Sequence, residues 1–131
     1  MNLTTLHMNR LAALSLVLAS SVANSAETVA AIPEQFHGRW AGSAAECSRG
    51  RLALQRMTIS ANRIEFYESI GQVLSVAVEG QSDFAVLLES RGEGYTWLSA
   101  LQYRLSEDGQ TLTNVTGGRL GVVLVHCESD V

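Results

Sequence analysis

Cysteine and histidine are the side chains of this sequence best suited to chemistry, and His126 and Cys127 are adjacent. A thiol beside an imidazole suggests a nucleophile activated by a base. Neighbouring residues of a strand point to opposite faces, however, so His126 cannot easily take a proton from Cys127. We therefore expect no catalytic thiol.

The remaining polar residues give little support for a metal site or for acid–base catalysis. His37 and His126 lie far apart, and no close Asp or His gives them the spacing of a zinc site. Glu65 and Glu68 are three residues apart on a predicted strand, so their carboxylates face opposite ways and do not form a glycosidase pair. The chain also lacks a nucleophile elbow and a phosphate loop. We predict no enzyme activity, no metal and no cofactor.

Three aromatic residues, Tyr95, Trp97 and Tyr103, form the candidate contact surface for a ligand or partner. Aromatic side chains with polar tips are enriched at binding sites. The same residues alternate with polar ones along one predicted strand, which is also typical of core packing. If they face inward with room to spare they line a pocket, and if they face outward they form a protein-binding patch.

The first 26 residues have the pattern of a secretory signal peptide. Arg10 precedes an uncharged run from Leu11 to Ala26, sixteen residues that end in small side chains. A membrane span needs about eighteen or more apolar residues, so we expect no stable membrane anchor after cleavage. Cleavage after Ala26 is preferred and cleavage after Ala23 is the alternative, while either Met1 or Met8 is the start. We predict a periplasmic or secreted protein.

Export bears on Cys47 and Cys127, because both enter an oxidising compartment after cleavage. We predict that they form a disulfide, with Cys127 on the last strand. Nucleic acid is not an expected partner, because residues 27–131 carry eight scattered arginines against thirteen acids, a net charge of −5 with His neutral.

The remainder of the chain has the make-up of one small domain, with an extension at residues 27–35 and a β-domain at residues 36–131. Apolar and polar residues alternate in short stretches broken by turns, and no segment has helical periodicity. In the stretch from Leu52 to Ile59 the apolar residues switch from even to odd positions between Leu54 and Met57, and this change of phase predicts a bulge near Gln55 and Arg56. The predicted strands are Phe36–Trp40, Leu52–Ile59, Arg63–Glu68, Val73–Val78, Phe84–Glu89, Tyr95–Leu105, Thr111–Thr116 and Arg119–Cys127.

Eight sequential strands favour an all-β fold, a single antiparallel up-and-down barrel, since closure removes exposed sheet edges. Inward positions are predicted at Leu74, Val76 and Val78 on one strand, and at Phe84, Val86 and Leu88 on the next. The last strand is apolar on both faces, so it is either covered or paired with another subunit.

The opening Phe36, Gly38 and Trp40 resemble the entrance motif of lipocalins and avidins. The resemblance implies a lipocalin-like barrel in which Trp40 plugs the closed end and Arg119 packs across its ring through a cation–π contact. The motif covers three residues of the chain.

Together with Cys47, the same residues resemble the small periplasmic inhibitors of secreted metalloproteases, and more broadly small exported proteobacterial proteins with an F-x-G-x-W opening. The inhibitor resemblance implies that Glu27–Pro33 is a flexible segment that plugs a protease cleft. The second cysteine departs from that family, in which it lies near the middle of the chain.

The functional expectation is a non-catalytic binding module for a small molecule or a protein that the sequence does not identify. The alternatives are a protease inhibitor and a structural or stress protein of the envelope with a filled core.

Overall fold

The computed structural model of the protein describes residues 25–128, so most of the predicted signal peptide lies outside it. The strands are β1 (Glu27–Val29), β2 (Gly38–Ala41), β3 (Arg56–Ile59), β4 (Arg63–Glu65), β5 (Ile70–Glu79), β6 (Asp83–Gly92), β7 (Tyr95–Leu105), β8 (Thr111–Asn114) and β9 (Val123–Cys127). One short α-helix, α1 (Ala44–Ser48), follows β2. Short 3₁₀ turns lie at Glu34–Phe36, Gly50–Leu52 and Thr116–Gly118.

Strands β2 to β9 form a closed antiparallel barrel of eight strands, which confirms the predicted fold. Each strand pairs with its neighbour in the chain, and β2 pairs with β9 to close the ring. Closure is built on long, alternating strands in the middle of the chain, where β6 pairs with β7 from Asp83 to Gly92. Every strand of the barrel thus pairs with a neighbour on both sides over at least part of its length.

The core lies inside the barrel and is made of the inward side chains of its strands. The predicted inward row Phe84, Val86 and Leu88 is confirmed, because all three are buried. Phe84 stacks on Tyr103 of the neighbouring strand with ring centroids 5.4 Å apart. The remaining buried members of this core cluster are Ile32, Phe36, Trp40, Met57, Ile59, Ile64, Val76, Leu112 and Leu124.

The N-terminal segment forms β1, the one strand added to the eight of the barrel, and closes one end of the barrel. Strand β1 pairs with residues 76–78 of β5, on the same edge whose residues 70–72 pair with β4. Ile32 donates its backbone N–H to the carbonyl of Ala61, and Gln35 donates from Nε2 to the carbonyl of Gln81. Phe36 is fully buried against Phe84, at a centroid distance of 4.6 Å. The expected flexible segment Glu27–Pro33 is therefore part of the sheet and the core.

Two predicted strands begin later than expected. Phe36 belongs to a 3₁₀ turn, and β2 starts at Gly38. The stretch from Leu52 to Gln55 is not strand at all, because α1 and a second 3₁₀ turn fill the connection to β3 at Arg56. The apolar phase change is therefore a boundary between loop and strand, and the bulge predicted near Gln55 and Arg56 is wrong.

A bulge is present instead in β5, between Val73 and Ser75. The extra residue turns Leu74 outward, so that it is 52% exposed, while Val76 stays buried. The predicted inward position of Leu74 is therefore wrong. A single inserted residue reverses the face of every residue before it, which strict alternation cannot reveal.

Strands β4, β8 and β9 are shorter than predicted. Phe66 and Glu68 follow the end of β4, Thr116 lies in a 3₁₀ turn after β8, and β9 begins only at Val123. The loop before β9 contains Gly117, at φ 68°, and Gly118, at φ 74°, which is backbone that favours glycine. Arg119 lies in this loop and is exposed.

The predicted disulfide between Cys47 and Cys127 is present. The two residues are separated by 80 positions, and their Cα atoms are 5.4 Å apart. Helix α1 is capped by the Ser43 hydroxyl, which accepts from the N–H of Glu46. Arg39, directly opposite Cys127 in the ladder, donates from Nη2 to the Cys47 carbonyl at 2.9 Å. The bond thus fastens α1 to the strand pair that closes the barrel.

Candidate ligand cleft at the open end of the barrel

The opening motif builds the junction between the first and last barrel strands. Trp40 is 1% exposed and donates from Nε1 to the carbonyl of Phe36 at 3.0 Å. Its ring meets the ring of His126, the residue directly opposite on β9. Arg119 is exposed in the loop before β9, and within residues 25–128 the cation–π contact belongs to Arg56 and Tyr67. The expected packing of Arg119 on Trp40 is therefore wrong, because β9 starts four residues later.

The end of the barrel opposite the N-terminal segment carries an open cleft. It has a volume of about 390 Å³, within the usual size range of small-molecule sites. Its walls come from the start of β3, the turn after β4, the inner face of β7, the end of β8 and the start of β9. The lining residues are Leu54, Gln55, Arg56, Met57, Phe66, Tyr67, Glu68, Tyr103, Asn114, Val122 and Leu124.

The cleft is lined by apolar side chains together with uncharged polar ones, Tyr103 and Asn114 among them. Met57, Phe66 and Leu124 supply carbon and sulfur surface. Within the described residues the Tyr103 hydroxyl has no hydrogen-bond partner, and Asn114 uses only Oδ1, which accepts from the N–H of Thr116. The cleft therefore offers a hydroxyl and an amide NH₂ on an apolar surface.

Burial also controls the protonation of Tyr103. The side chain is 4% exposed, and this loss of water raises the pKa of Tyr103 to about 12. Desolvation disfavours the phenolate, so the hydroxyl stays protonated over the whole physiological range. It can both donate one hydrogen bond and accept others from a bound molecule.

The rim of the cleft is polar and is held by Arg56. Its guanidinium donates from Nε to the carbonyl of Arg51 and from Nη2 to the carbonyl of Tyr67, and its Cζ lies 5.8 Å from the Tyr67 ring centroid. These contacts join the loop before β3 to the turn after β4. The two segments that form one side of the cleft are thus linked directly.

The predicted aromatic row is divided by the structure. Tyr103 lies in the cleft, whereas Tyr95 and Trp97 lie at the far end of β7 beside the β6–β7 turn and do not line it. Tyr95 is 74% exposed and Trp97 is 43% exposed. A Cβ at Gly92 would come within 3.3 Å of the Trp97 ring, so this ring covers the start of the turn. The three residues do not form one surface.

A second, larger cleft of about 670 Å³ lies beside α1 and shares five lining residues with the first, Arg56, Met57, Phe66, Tyr67 and Glu68. Among its lining residues are four arginines, Arg39, Arg51, Arg56 and Arg91, and three glutamates, Glu46, Glu65 and Glu68. The charges nearly balance, so this surface gives no strong preference for an ion of either sign.

His37 and Glu65 have structural contacts. His37 donates from Nε2 to the carbonyl of Ile32 at 2.6 Å, and Glu65 pairs with Arg63 at 3.2 Å. Within residues 25–128 no group of three or more His, Cys, Asp or Glu residues is arranged to hold a metal ion. In the same range no helix is long and apolar enough to cross a membrane.

Sequence reasoning did not find most of the cleft. Met57 on β3 is distant in the chain from Asn114 and Leu124, which lie on or next to the paired strands β8 and β9, and barrel closure through β2 brings them together. Of the three aromatic residues predicted as a contact surface, only Tyr103 lines the cleft.

Comparison with protein-family models, with curated proteins and with solved structures found no match to this chain. Its class is therefore defined by the fold: a disulfide-linked, closed eight-stranded antiparallel barrel with one added N-terminal strand.

Proposed function

We propose that this protein is a non-catalytic binding module that holds a small, mostly apolar molecule in the cleft at the open end of the barrel. The observation that carries the proposal is the pairing of an apolar floor with two polar groups that lack a partner in the described residues, the Tyr103 hydroxyl and the Asn114 amide. Binding sites for small molecules commonly combine these two features.

The Tyr103 hydroxyl and the Asn114 amide limit the kinds of ligand that fit the cleft. Both groups reach water in the cleft, so a ligand that hydrogen-bonds to them exchanges one hydrogen bond for another and is chiefly oriented by it. The favoured ligand has an apolar body and one neutral polar group that reaches Tyr103 or Asn114. A charged group is not favoured, because the two charged residues that line the cleft, Arg56 and Glu68, are of opposite sign.

The proposed location is the periplasm or the exterior of the cell. Support comes from the predicted signal peptide and from the Cys47–Cys127 disulfide, since such bonds persist in oxidising compartments. An exported barrel with an open end is suited to holding a molecule that dissolves poorly in water.

The two alternatives receive less support. Protease inhibition by a free N-terminal plug needs Glu27–Pro33 to be available, whereas β1 pairs with β5 and Ile32 is buried. A structural protein with a filled core has no need of an apolar cleft with unpartnered polar groups.

The test is a fluorescence titration of the mature protein with N-phenyl-1-naphthylamine, a neutral apolar probe. Val122 lines the cleft, while its neighbour Val123 does not, and both are about half exposed. We expect Val122→Trp to weaken probe binding at least about tenfold by filling the cleft, and Val123→Trp to leave it unchanged.

Failure of the wild-type protein to bind the probe, or an equal loss in both variants, would contradict the proposal. Native mass spectrometry of protein purified from its own source then identifies the ligand. We expect a retained small molecule in the wild type that is lost in Val122→Trp.

A further inference from the structure

The upper half of β7, from Tyr95 to Leu101, has one edge that pairs with no other strand. Strand β6 pairs with all of β7, but β8 pairs only with Tyr103–Leu105. Leu105 donates its N–H to the carbonyl of Ser82 on the β6 side, so odd-numbered residues of β7 bond towards β6 and even-numbered ones point away. Counting back from Leu105 towards Tyr95, Gln102 is the last even-numbered residue whose outward backbone groups have partners. Its carbonyl accepts from the N–H of Val115, and its N–H donates to the Thr116 hydroxyl.

Beyond Gln102 the outward backbone groups of β7 are unsatisfied. Thr96, Leu98 and Ala100 present three N–H and three C=O groups for which the described residues provide no partner. The six groups alternate along the five residues of extended backbone from Thr96 to Ala100, the pattern that one further strand would satisfy.

The edge also lacks the features that keep exposed strands apart. Residues 95–101 contain no charged side chain and no proline, although 17% of the chain is charged. Natural edge strands are usually protected by Lys, Pro or a bulge. Leu98 is 67% exposed on the outer face, and the outward Leu87 and Leu74 of the next two strands extend this apolar surface.

We propose that the occupant of this edge is a second copy of the same chain, paired β7 to β7 in antiparallel fashion about a two-fold axis at Leu98. In this register Leu98 lies opposite its own copy, and Thr96 lies opposite Ala100 of the other copy. The three pairs use all six N–H and C=O groups of each edge and form six hydrogen bonds. Shifting the axis to lie between Thr96 and Leu98, or between Leu98 and Ala100, leaves some of these groups unpaired.

Electrostatics is compatible with a copy as the partner. A two-fold axis places like residues near each other, so an edge that carried charges would repel itself, and Thr96–Ala100 carries none. The nearest charges on β6 are Glu89 and Arg91, which form an ion pair at 2.7 Å and so cancel locally. Each backbone N–H of one copy meets a C=O of the other, which is a complementary arrangement.

The first experiment measures the mass of the mature protein by sedimentation equilibrium. We expect a dimer in the wild type, and we expect Leu98→Lys to raise the dimer dissociation constant by about fivefold or more, because two ammonium groups then face each other. Leu120→Lys is the matched control: Leu120 is 83% exposed, lies outside β7, and should leave the dimer unchanged. A monomeric wild type at millimolar concentration, or an unchanged dimer in Leu98→Lys, would overturn the proposal.

A second experiment tests the register by cross-linking under mild oxidation. Directly hydrogen-bonded residues of antiparallel strands have Cα atoms about 5.5 Å apart, within disulfide range. Leu98→Cys should therefore form a covalent dimer, and Thr96→Cys should not, since the two copies of residue 96 lie four positions apart in register. Cross-linking of both variants alike, or of Thr96→Cys alone, would refute the two-fold axis at Leu98. The cleft plays no part in either experiment, so their outcome is independent of the proposed function.

Discussion

The rings of Trp40 and His126 meet edge to face across the seam of the barrel, with centroids 4.7 Å apart and planes at 72°. The two residues are directly opposite in the ladder between β2 and β9, the strands that close the ring. The His126 ring also lies over Gly38, where a Cβ would come within 2.7 Å of Nε2. The three-residue opening motif is thus a closure device: glycine makes room for the imidazole that packs on the tryptophan.

Replacing Gly38 by alanine should destabilise the barrel by about 1–3 kcal/mol. Its φ of 116° is strained for any other residue, and the new methyl group would clash with His126. Thermal unfolding measures the effect. Gly109→Ala is the control, since φ there is 72° but no atom lies within 4 Å, so only backbone strain of about 1 kcal/mol is expected.

Adding His126→Ala to Gly38→Ala should recover the part of the loss that comes from the clash. Equal unfolding temperatures for Gly38→Ala and Gly109→Ala would show that the His126 ring moves aside with no loss of stability.

Removing the disulfide should lower the free energy of unfolding by roughly 4 to 5 kcal/mol. The bond closes a loop of 80 residues, and in the chain-entropy model the stabilisation grows with loop length. Urea unfolding of a variant with Cys47→Ser and Cys127→Ser, compared with the oxidised wild type, measures it. The wild type in excess dithiothreitol should behave like the variant, and a midpoint unaffected by either treatment would contradict the expectation.

The N-terminal segment should contribute to stability through its buried side chain. Ile32→Ala is expected to cost about 2–4 kcal/mol, because Ile32 is packed into the closed end of the barrel. The control is Leu120→Ala, a change on an exposed side chain that should stay within about 0.5 kcal/mol. If the two variants unfold at the same urea concentration, Glu27–Pro33 is not anchored as described.

Alkaline pH should destabilise the protein through Tyr103. The pKa of Tyr103 is raised by burial from its ordinary value of 10 to about 12 in the folded state, so between these values the folded chain keeps a proton that the unfolded chain releases. The free energy of unfolding therefore falls as pH rises through this window, by up to about 3 kcal/mol.

The measurement is urea unfolding across the alkaline range, with phenolate absorbance as a second readout. Tyr103→Phe should remove both the absorbance step near about pH 12 and its share of the fall in stability. Persistence of that step in Tyr103→Phe would assign it to another residue.

The parts of the fold that sequence predicts well are those determined by local pattern. Strand β7 begins and ends at Tyr95 and Leu105 as predicted, because its turns are marked by Gly94 and by Asp108 and Gly109. The Cys47–Cys127 bond follows from the number of cysteines and the predicted compartment.

The parts that sequence misses depend on distant segments. Nothing in Glu27–Val29 alone indicates a strand, since it forms on the stretch of β5 that β4 leaves unpaired. The exposure of Tyr95 and Trp97 has the same cause: β8 is too short to pair with the upper half of β7. The Arg119 prediction fails because Gly117 and Gly118 keep the chain in a loop until Val123.

The seam between β2 and β9 also determines the order in which this chain can fold. Trp40 and His126 are 86 residues apart, and the ring keeps two open edges until β9 pairs with β2. The local hairpin of β6 and β7 can form early, whereas contacts between distant residues form slowly. An open sheet therefore forms first and the barrel last, and any chain cut short before His126 has both closing edges bare.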